Sequence, residues 1–212
     1  MRAALIDYGS GNIASAAKAL SRAAGETSGH EIIVTADPDM VRKSERIVLP
    51  GVGAFADCMQ GLGAVPGMVE ALHESVIRNG KPILGICVGM QLMATAGREF
   101  GIRSGLNWIG GEVLPLQPAD PLLKIPHMGW NEIELVQGHP LFAGLDANAN
   151  AYFVHSFEMK PGNPAHLLAT TSYGGAVTAA IGRDNIVGTQ FHPEKSQGVG
   201  LKILANFLNW KP

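Results

Sequence analysis

Short apolar runs alternate with helix-like segments along the first half of the chain. The strand-like runs lie at residues 3–7, 31–35 and 46–49, and a fourth begins the stretch 81–95. Between them, apolar residues recur at helical spacing at 13–20, 55–62 and 68–77. This alternation predicts an α/β fold in which helices flank a doubly wound, mostly parallel sheet, and ligands bind beyond the carboxyl ends of its strands.

The pattern changes after residue 110. Short strand-like runs at 112–116, 131–135, 152–157, 167–172, 177–181 and 186–191 are separated by Gly, Pro and Asn, and a last helix is predicted at 199–210. These runs predict antiparallel β extensions in the C-terminal half. With 212 residues, the chain is long enough for one large core and short for two, so we expect a single domain over 1–212.

Composition narrows the classes of partner. The chain holds 16 basic and 18 acidic residues, and charged residues make up only 16% of it, so no surface for nucleic acid is expected. No apolar run approaches the ~18 residues that cross a bilayer, and the first residues lack an export signal, which predicts a soluble, cytoplasmic protein. Cys58 and Cys87 are expected to stay reduced there, and no Cys/His cluster has metal-ligand spacing.

The stretch 81–95 carries the strongest candidate for chemistry. Its apolar run ends in Gly85, Cys87 and Gly89, and a helix-favouring run follows, which predicts a sharp turn between a strand and a helix. A cysteine at such a bend lies above the sheet edge, where unpaired N–H groups at the start of the helix favour the thiolate. We therefore expect Cys87 to be a nucleophile. The alternative is a small buried apolar residue, the usual state of a free cysteine.

A nucleophilic thiol needs a base, and His192 is the best placed of the seven histidines. It follows a strand-like run and precedes Pro193, which favours extended geometry before it, so His192 and Glu194 should face the same side. A carboxylate beside an imidazole fixes its tautomer and stabilises the imidazolium, as a Cys–His–Glu set requires. The protein surface is the expected place for His30, His73, His139 and His166.

A second glycine-containing turn follows the run 46–49. Its sequence, Pro-Gly-Val-Gly at 50–53, places two glycines around a valine, so that bare backbone N–H groups can approach a ligand. An ordinary turn explains the same residues, and the pattern alone leaves both interpretations open.

The motifs GICVGMQ at the elbow and HPEKS after the last strand resemble those of the class I glutamine amidotransferases. Within that class, DYGSGN, LPGVGAF, KIPHMGWN and YFVHSF are similar to the glutaminases that serve imidazole glycerol phosphate synthase in histidine biosynthesis. The resemblance runs from Ile6 to the C-terminus. It implies a flavodoxin-like class I fold and hydrolysis of L-glutamine to glutamate and ammonia.

The resemblance also implies roles for individual residues. Cys87 is the nucleophile, His192 the base and Glu194 its partner. Implied contacts to the substrate come from the oxyanion donors Val52, Gly53 and Val88 and from the glutamine-binding residues Gln91, Ser156 and Phe157. Relatives often carry Tyr at the position of Phe157, so contact there is expected from backbone groups. His127 and His155 also match family motifs and are expected to be structural or interfacial.

The resemblance implies a protein partner and no cofactor or metal. The expected partner is a (β/α)8-barrel cyclase that uses the ammonia and forms a heterodimer with this chain, with Trp130, Asn131 and Lys195 as candidate contacts. We also expect residues 50–53 to hold an inactive peptide orientation until the partner docks, because glutamine hydrolysis without an acceptor is wasteful.

Three other functions are compatible with parts of this pattern. The chain could serve pyridoxal phosphate synthesis, which KIPHMGWN disfavours, or it could be a γ-glutamyl peptidase that acts alone. It could also be a non-catalytic scaffold, which the intact set of Cys87, His192 and Glu194 disfavours.

Overall fold

The structure is a computed structural model that describes residues 1–27 and 29–212. The strands are β1 (Arg2–Ile6), β2 (Glu31–Thr35), β3 (Arg46–Leu49), β4 (Ile83–Ile86), β5 (Ala96–Gly97), β6 (Arg103–Ser104), β7 (Gly111–Pro115), β8 (His127–Glu132), β9 (Glu134–Leu135), β10 (Asn150–His155), β11 (Phe157–Pro161), β12 (Leu167–Ser172), β13 (Ala176–Arg183) and β14 (Ile186–Thr189). The helices are α1 (Ile13–Thr27), α2 (Pro38–Lys43), α3 (Phe55–Ala64), α4 (Met68–His73), α5 (Val88–Gln91) and α6 (Gln197–Asn209). Short 3-10 turns occur at Pro140–Phe142, Pro164–His166 and Pro193–Lys195.

Within the described part of the chain, eight strands form the main sheet in the order β2-β1-β3-β4-β14-β13-β12-β9. The strands from β2 to β14 run parallel, and β13, β12 and β9 continue the sheet antiparallel. Smaller sheets pair β10 with β8 and order β11-β7-β5-β6. The predicted α/β class, with a mostly parallel sheet and antiparallel extensions, is confirmed.

The centre of the main sheet is buried on both faces. Every residue of β3, β4 and β14 is buried, because helices or the smaller sheets cover both sides of these strands. Each fully buried Val, Leu or Ile contributes about 1.5–3 kcal/mol relative to exposure. These three strands therefore form a rigid base whose carboxyl ends reach one edge.

The position of β14 differs from the sequence-based expectation. Its run was expected among the antiparallel extensions, but β14 lies parallel to β4, with Thr189 opposite Ile86. This pairing joins parts of the chain about a hundred residues apart. It places the segment after β14 beside the segment after β4.

The helix after the cysteine elbow, α5, is shorter than predicted and has only four residues. The chain then leaves helical geometry, and the carbonyls of Leu92, Met93 and Ala94 accept hydrogen bonds from backbone N–H groups of residues 106–109. Tertiary pairing therefore overrides the helix propensity of this segment. Similarly, the predicted helix at 68–77 is divided into α4 and a π-helical turn at Glu74–Arg78.

Two further findings concern surfaces. His30, which was expected at the surface, is buried and accepts a hydrogen bond from Arg46 Nε at 3.4 Å. Across residues 1–27 and 29–212, helices with the length and apolar character needed to span a membrane are absent.

Candidate active site

Cys87 follows β4 at a sharply bent elbow. Its φ of 53° and ψ of −112° lie outside the regions that L-residues favour, a strain of the order of 1–3 kcal/mol. The Cys87 N–H donates to the carbonyl oxygen of Thr189 at 2.7 Å, so the pairing of β4 with β14 continues into the elbow. A Cβ on Gly89 would lie 1.9 Å from the Leu49 oxygen, which explains why the sequence has glycine there.

The segment after β14 brings His192 and Glu194 to the same edge. His192 Nδ1 lies 2.7 Å from Glu194 Oε1, and both side chains are buried. His192 itself is extended, as predicted, but a 3-10 turn follows it, in which the Lys195 N–H donates to the His192 carbonyl, and this turn brings Glu194 to the histidine. The His192 N–H donates to the Tyr152 carbonyl at 2.9 Å, which anchors the backbone of the histidine.

The electrostatics of His192 favour its charged form. Burial lowers the pKa of His192, but contacts with Cys87 and Glu194 outweigh burial and raise the pKa to about 10. Because a carboxylate oxygen accepts, Nδ1 carries the proton toward Glu194 and Nε2 is left for Cys87. Within the described residues, Nε2 is buried and makes no hydrogen bond of normal geometry, although Cys87 is near enough to stabilise the imidazolium.

Cys87 and His192 line one cavity of about 690 Å³. The other predicted site residues in its wall are Val52, Gly53, Val88, Gln91, Ser156, Phe157 and Lys195. Ser156 and Phe157 are brought there by the corner between β10 and β11, which belong to different sheets. Among the described residues, groups of three or more His, Cys, Asp or Glu side chains placed to hold a metal ion are absent.

The buried side chain of Gln91 is held by two acceptors. Its Nε2 donates to the Phe157 carbonyl at 3.1 Å and to Gln190 Oε1 at 3.0 Å. Gln190 Nε2 in turn donates to Cys87 Sγ at 3.6 Å, a contact that the sequence-based reasoning missed. A signal was present, because Gln190 stands two positions before His192 at a strand end, and such residues face the same side.

The turn at 50–53 lies against the elbow. The Val88 N–H donates to the Gly51 carbonyl at 3.3 Å, so one predicted oxyanion donor is engaged by the turn itself. The Val52 N–H donates to Ser10 Oγ at 3.4 Å. A Cβ on Gly51 would lie 2.6 Å from the Gly89 nitrogen, so the close approach of the two segments requires glycine.

Three side chains hold this turn in place. Tyr8 Oη donates to the Pro50 carbonyl at 2.6 Å, and Ser10 Oγ donates to the Val52 carbonyl at 2.7 Å. Cys58 Sγ donates to the same Val52 oxygen at 3.3 Å. Burial raises the pKa of the Cys58 thiol, which keeps it in the form that donates this bond.

Of the three residues predicted at a partner interface, Lys195 lines the cavity, whereas Trp130 and Asn131 lie on β8 and are not part of its wall. Trp130 is 48% exposed and packs edge-to-face on Tyr152, and Lys195 Nζ lies 5.6 Å from the centre of the same ring. Asn131 is partly buried, and its Nδ2 donates to the Ser172 carbonyl at 2.9 Å. Trp130 and Lys195 are therefore the members of this set that present accessible surface.

Comparisons of sequence agree with the geometry. A family model described as "Glutamine amidotransferase class-I" matches residues 4–210. The chain is 57% identical to "Imidazole glycerol phosphate synthase subunit HisH" of Rhodospirillum rubrum, with 100% of each chain covered. It is 56% identical to the protein of the same name from Caulobacter vibrioides, with 99% of this chain and 98% of the relative covered.

Comparisons of structure support the fold. A glutamine amidotransferase crystal structure superposes with a TM-score of 0.70 at 14% identity, over 95% of this chain and 98% of that one. A glutamine amidotransferase from Thermotoga maritima superposes with a TM-score of 0.66 at 16% identity, over 92% of this chain and 76% of that one. The chain therefore belongs to the class I glutamine amidotransferases and, within them, to the HisH family of imidazole glycerol phosphate synthase subunits.

Proposed function

We propose that Cys87, His192 and Glu194 hydrolyse L-glutamine in this chain, which is the glutaminase subunit of imidazole glycerol phosphate synthase in histidine biosynthesis. The observation that carries the residue assignment is the meeting of an elbow cysteine and a histidine at the wall of one cavity, with the buried Glu194 bonded to the other side of the histidine ring. Two strand ends about a hundred residues apart bring these groups together.

The first half of the reaction releases ammonia. The Cys87 thiolate attacks the side-chain carbonyl carbon of glutamine, and the carbonyl electron pair moves onto oxygen to give a tetrahedral oxyanion. When this intermediate collapses, the C–N bond breaks and the His192 imidazolium gives its Nε2 proton to the departing nitrogen. The products are ammonia, a γ-glutamyl thioester on Cys87 and a neutral His192.

The second half regenerates the enzyme. Neutral His192 takes a proton from water as the water oxygen attacks the thioester carbon. Collapse of the second tetrahedral intermediate breaks the C–S bond and restores the thiolate and imidazolium. The product leaves as the γ-carboxylic acid, which gives its proton to solvent and becomes glutamate. Glu194 stabilises the imidazolium at both stages and holds the ring with Nε2 directed toward the reaction.

The turn at 50–53 supplies a control point in this proposal. The Gly51 carbonyl accepts from the Val88 N–H, so a carbonyl oxygen occupies a donor that the substrate oxyanion would need. Rotation of the Gly51–Val52 peptide would free Val88 N–H and turn the Val52 N–H toward the site, with Gly53 as the adjacent donor. Loss of one oxyanion donor typically costs ~10² to 10³ in rate, so the present orientation would keep basal hydrolysis low.

The proposal includes a (β/α)8-barrel cyclase as the partner. Ammonia is easily protonated and lost to water, so a glutaminase that serves a synthase benefits from a closed path to the acceptor. The exposed Lys195, which lines the cavity, and the exposed Trp130, which packs on the same Tyr152 ring, are proposed to contact the cyclase. We place the chain, as one domain over 1–212, in the cytoplasm, where the free thiols of Cys58 and Cys87 stay reduced.

The test is to mix the chain with the histidine-pathway cyclase and measure glutamate release from glutamine with and without the ribotide acceptor. We expect release that depends on the cyclase and rises with the ribotide. Full hydrolysis by the isolated chain would refute the control by residues 50–53. Activation by a vitamin B6 synthase barrel instead, or hydrolysis of γ-glutamyl peptides without any partner, would refute the assignment to this synthase.

A further inference from the structure

A continuous series of buried and partly buried hydrogen bonds runs from the edge of the small sheet to the nucleophile. Its first part joins Asn131 Nδ2 to His127 Nε2 at 3.2 Å, His127 Nδ1 to His155 Nε2 at 3.0 Å, and His155 Nδ1 to the Phe157 carbonyl at 2.9 Å. Its second part is the set of Gln91 and Gln190 contacts described above, which ends at Cys87 Sγ. We call the whole series the Asn131–Cys87 network.

We propose that His127 and His155 are positioning residues for the glutaminase reaction, because they hold the Phe157 carbonyl and, through it, the Gln91 and Gln190 amides that contact the cavity and Cys87. This inference rests on the proposed function. It assigns a directed role to two histidines that were otherwise expected to be only structural or interfacial.

The direction of the hydrogen bonds in the Asn131–Cys87 network follows from which atoms can donate and which can only accept. The Phe157 carbonyl only accepts, so His155 Nδ1 must carry a proton. Burial lowers the pKa of His155 to about 4, so the ring is neutral near pH 7 and its Nε2 is an acceptor. His127 Nδ1 must therefore be the donor in the 3.0 Å contact between the two rings.

The same reasoning extends to the outer end. Burial lowers the pKa of His127 to about 4, so this ring is also neutral, and its Nε2 accepts from Asn131 Nδ2. The second Asn131 N–H donates to the Ser172 carbonyl at 2.9 Å. Every donor in this part has an acceptor in a single arrangement, with the Nδ1–H tautomer on both histidines.

The inner end is equally constrained. The Phe157 carbonyl accepts from Gln91 as well as from His155, and the other Gln91 N–H donates to Gln190 Oε1. The Gln190 amide is thereby oriented with Nε2 toward Cys87 Sγ, to which its N–H donates. A change in the histidine pair would release one of the two donors that hold the Phe157 carbonyl.

Aromatic packing makes the His127 link stiff. Its ring stacks on Tyr173 at 4.0 Å and on Phe153 at 4.9 Å between centroids. Tyr173 is fixed in turn, because its hydroxyl donates to the Lys124 carbonyl at 2.6 Å. A Phe at position 127 would keep this stacking and lose only the hydrogen bonds, so packing and hydrogen bonding can be tested separately.

The first test is independent of activity. Two-bond ¹H–¹⁵N correlation spectra of the imidazole rings in the wild-type chain near pH 7 identify which nitrogen carries the proton. We expect the Nδ1–H tautomer for both His127 and His155. An Nε2–H tautomer or an imidazolium at either position would overturn the proposal.

The tautomer can also be switched on purpose. In Asn131→Asp, a carboxylate that only accepts replaces the amide donor, so His127 should move its proton to Nε2 and become unable to donate to His155. We expect the spectra to show this switch and the KM for glutamine to rise about tenfold, the effect of losing about one buried hydrogen bond. An unchanged His127 tautomer together with an unchanged KM would contradict the proposal.

The kinetic test uses the complex with the cyclase. We expect His127→Phe to raise the KM for glutamine about tenfold and to change kcat less than about threefold. His127→Asn, whose Nδ2 can replace the Nδ1 donor, should return KM to within about threefold of wild type. The control is His139→Phe, because His139 also packs on an aromatic ring and accepts a hydrogen bond, but does not belong to the Asn131–Cys87 network.

The outcomes separate this inference from the proposed function. Equal KM values for His127→Phe, His139→Phe and wild type, or no rescue by Asn, would refute the positioning role while glutaminase activity stood. Absence of glutamate release by the wild-type complex would refute the proposed function, and the wild-type spectra would still decide the tautomers. The same spectra decide the matter if His127→Phe does not fold.

Discussion

The Glu194→Gln substitution tests the electrostatics of the proposed triad. The pKa of His192 is about 10, against 6.5 for an ordinary histidine. Because one pKa unit corresponds to about 1.4 kcal/mol, the folded site prefers the imidazolium by about 5 kcal/mol. Glutamine keeps an acceptor for Nδ1 but removes the charge, which accounts for about 1.5–3 kcal/mol of that preference. The pKa of His192 should therefore fall to about 8 or 9.

The direct assay is an NMR titration of the His192 ring in both proteins. The effect also appears in stability, because the folded pKa lies above the unfolded one. The stabilisation is therefore fully present below about pH 6.5 and is lost as the pH rises through about 10. Urea unfolding should show the largest penalty of Glu194→Gln near pH 6 and a small one near pH 10. A wild-type midpoint near 6.5, or the same midpoint in both proteins, would refute the reasoning.

Three other substitutions or titrations give independent checks. Gly89→Ala should lower the free energy of unfolding by about 3 kcal/mol, because its methyl group would overlap a backbone oxygen. Gly53→Ala has open space and only a φ of +95° to overcome, so its cost should be about 1–2 kcal/mol. Urea unfolding that ranks the two variants the other way would contradict this expectation. His127 and His155 should titrate near pH 4 in NMR. The stability that they contribute is therefore complete above about pH 6.5 and is lost as the pH falls toward 4. Titration midpoints near pH 6.5 would exclude their burial as neutral rings. Ser10→Ala removes one hydrogen bond that holds the turn at 50–53, so it should raise glutamate release by the isolated chain about fivefold. An unchanged or lower rate would show that Ser10 does not restrain the turn.

Local patterns were sufficient for much of the fold. The runs of β3 and β4 are continuously apolar because both faces of these strands are buried, and this signal is visible within a few residues. The G-x-C-x-G elbow is also recognisable within a few residues. Gly85 is needed where the backbone of the turn closes on itself, whereas Gly89 is needed where the elbow meets Leu49. A reactive cysteine at a sheet edge could therefore be predicted from one short stretch.

Features that depend on long-range pairing were not predictable in the same way. The place of β14 beside β4 comes from pairing between segments about a hundred residues apart, and nothing in the β14 run distinguishes it from the neighbouring antiparallel strands. The length of α5 is set by hydrogen bonds from the N–H groups of residues 106–109 to the carbonyls that follow the helix. The contact from Gln190 to Cys87 likewise exists only because β4 and β14 meet.

The peptide orientation in the turn at 50–53 could not be predicted from the sequence for a related reason. The motif at 50–53 predicts a backbone that can approach a ligand, and in the structure Gly51 lies close to the backbone of Val88 and Gly89. Which way a peptide faces, however, depends on the groups around it. Here the Gly51 carbonyl meets the Val88 N–H, while Tyr8 and Ser10 hold the flanking residues.

The proposed mechanism depends above all on Cys87 as the group that cleaves glutamine. The decisive experiment compares glutamate release by wild type and by Cys87→Ala, each in complex with the cyclase and in the presence of the ribotide. We predict rapid release by wild type and none above background by Cys87→Ala, with both proteins forming the complex. Release by Cys87→Ala at the wild-type rate would contradict the mechanism.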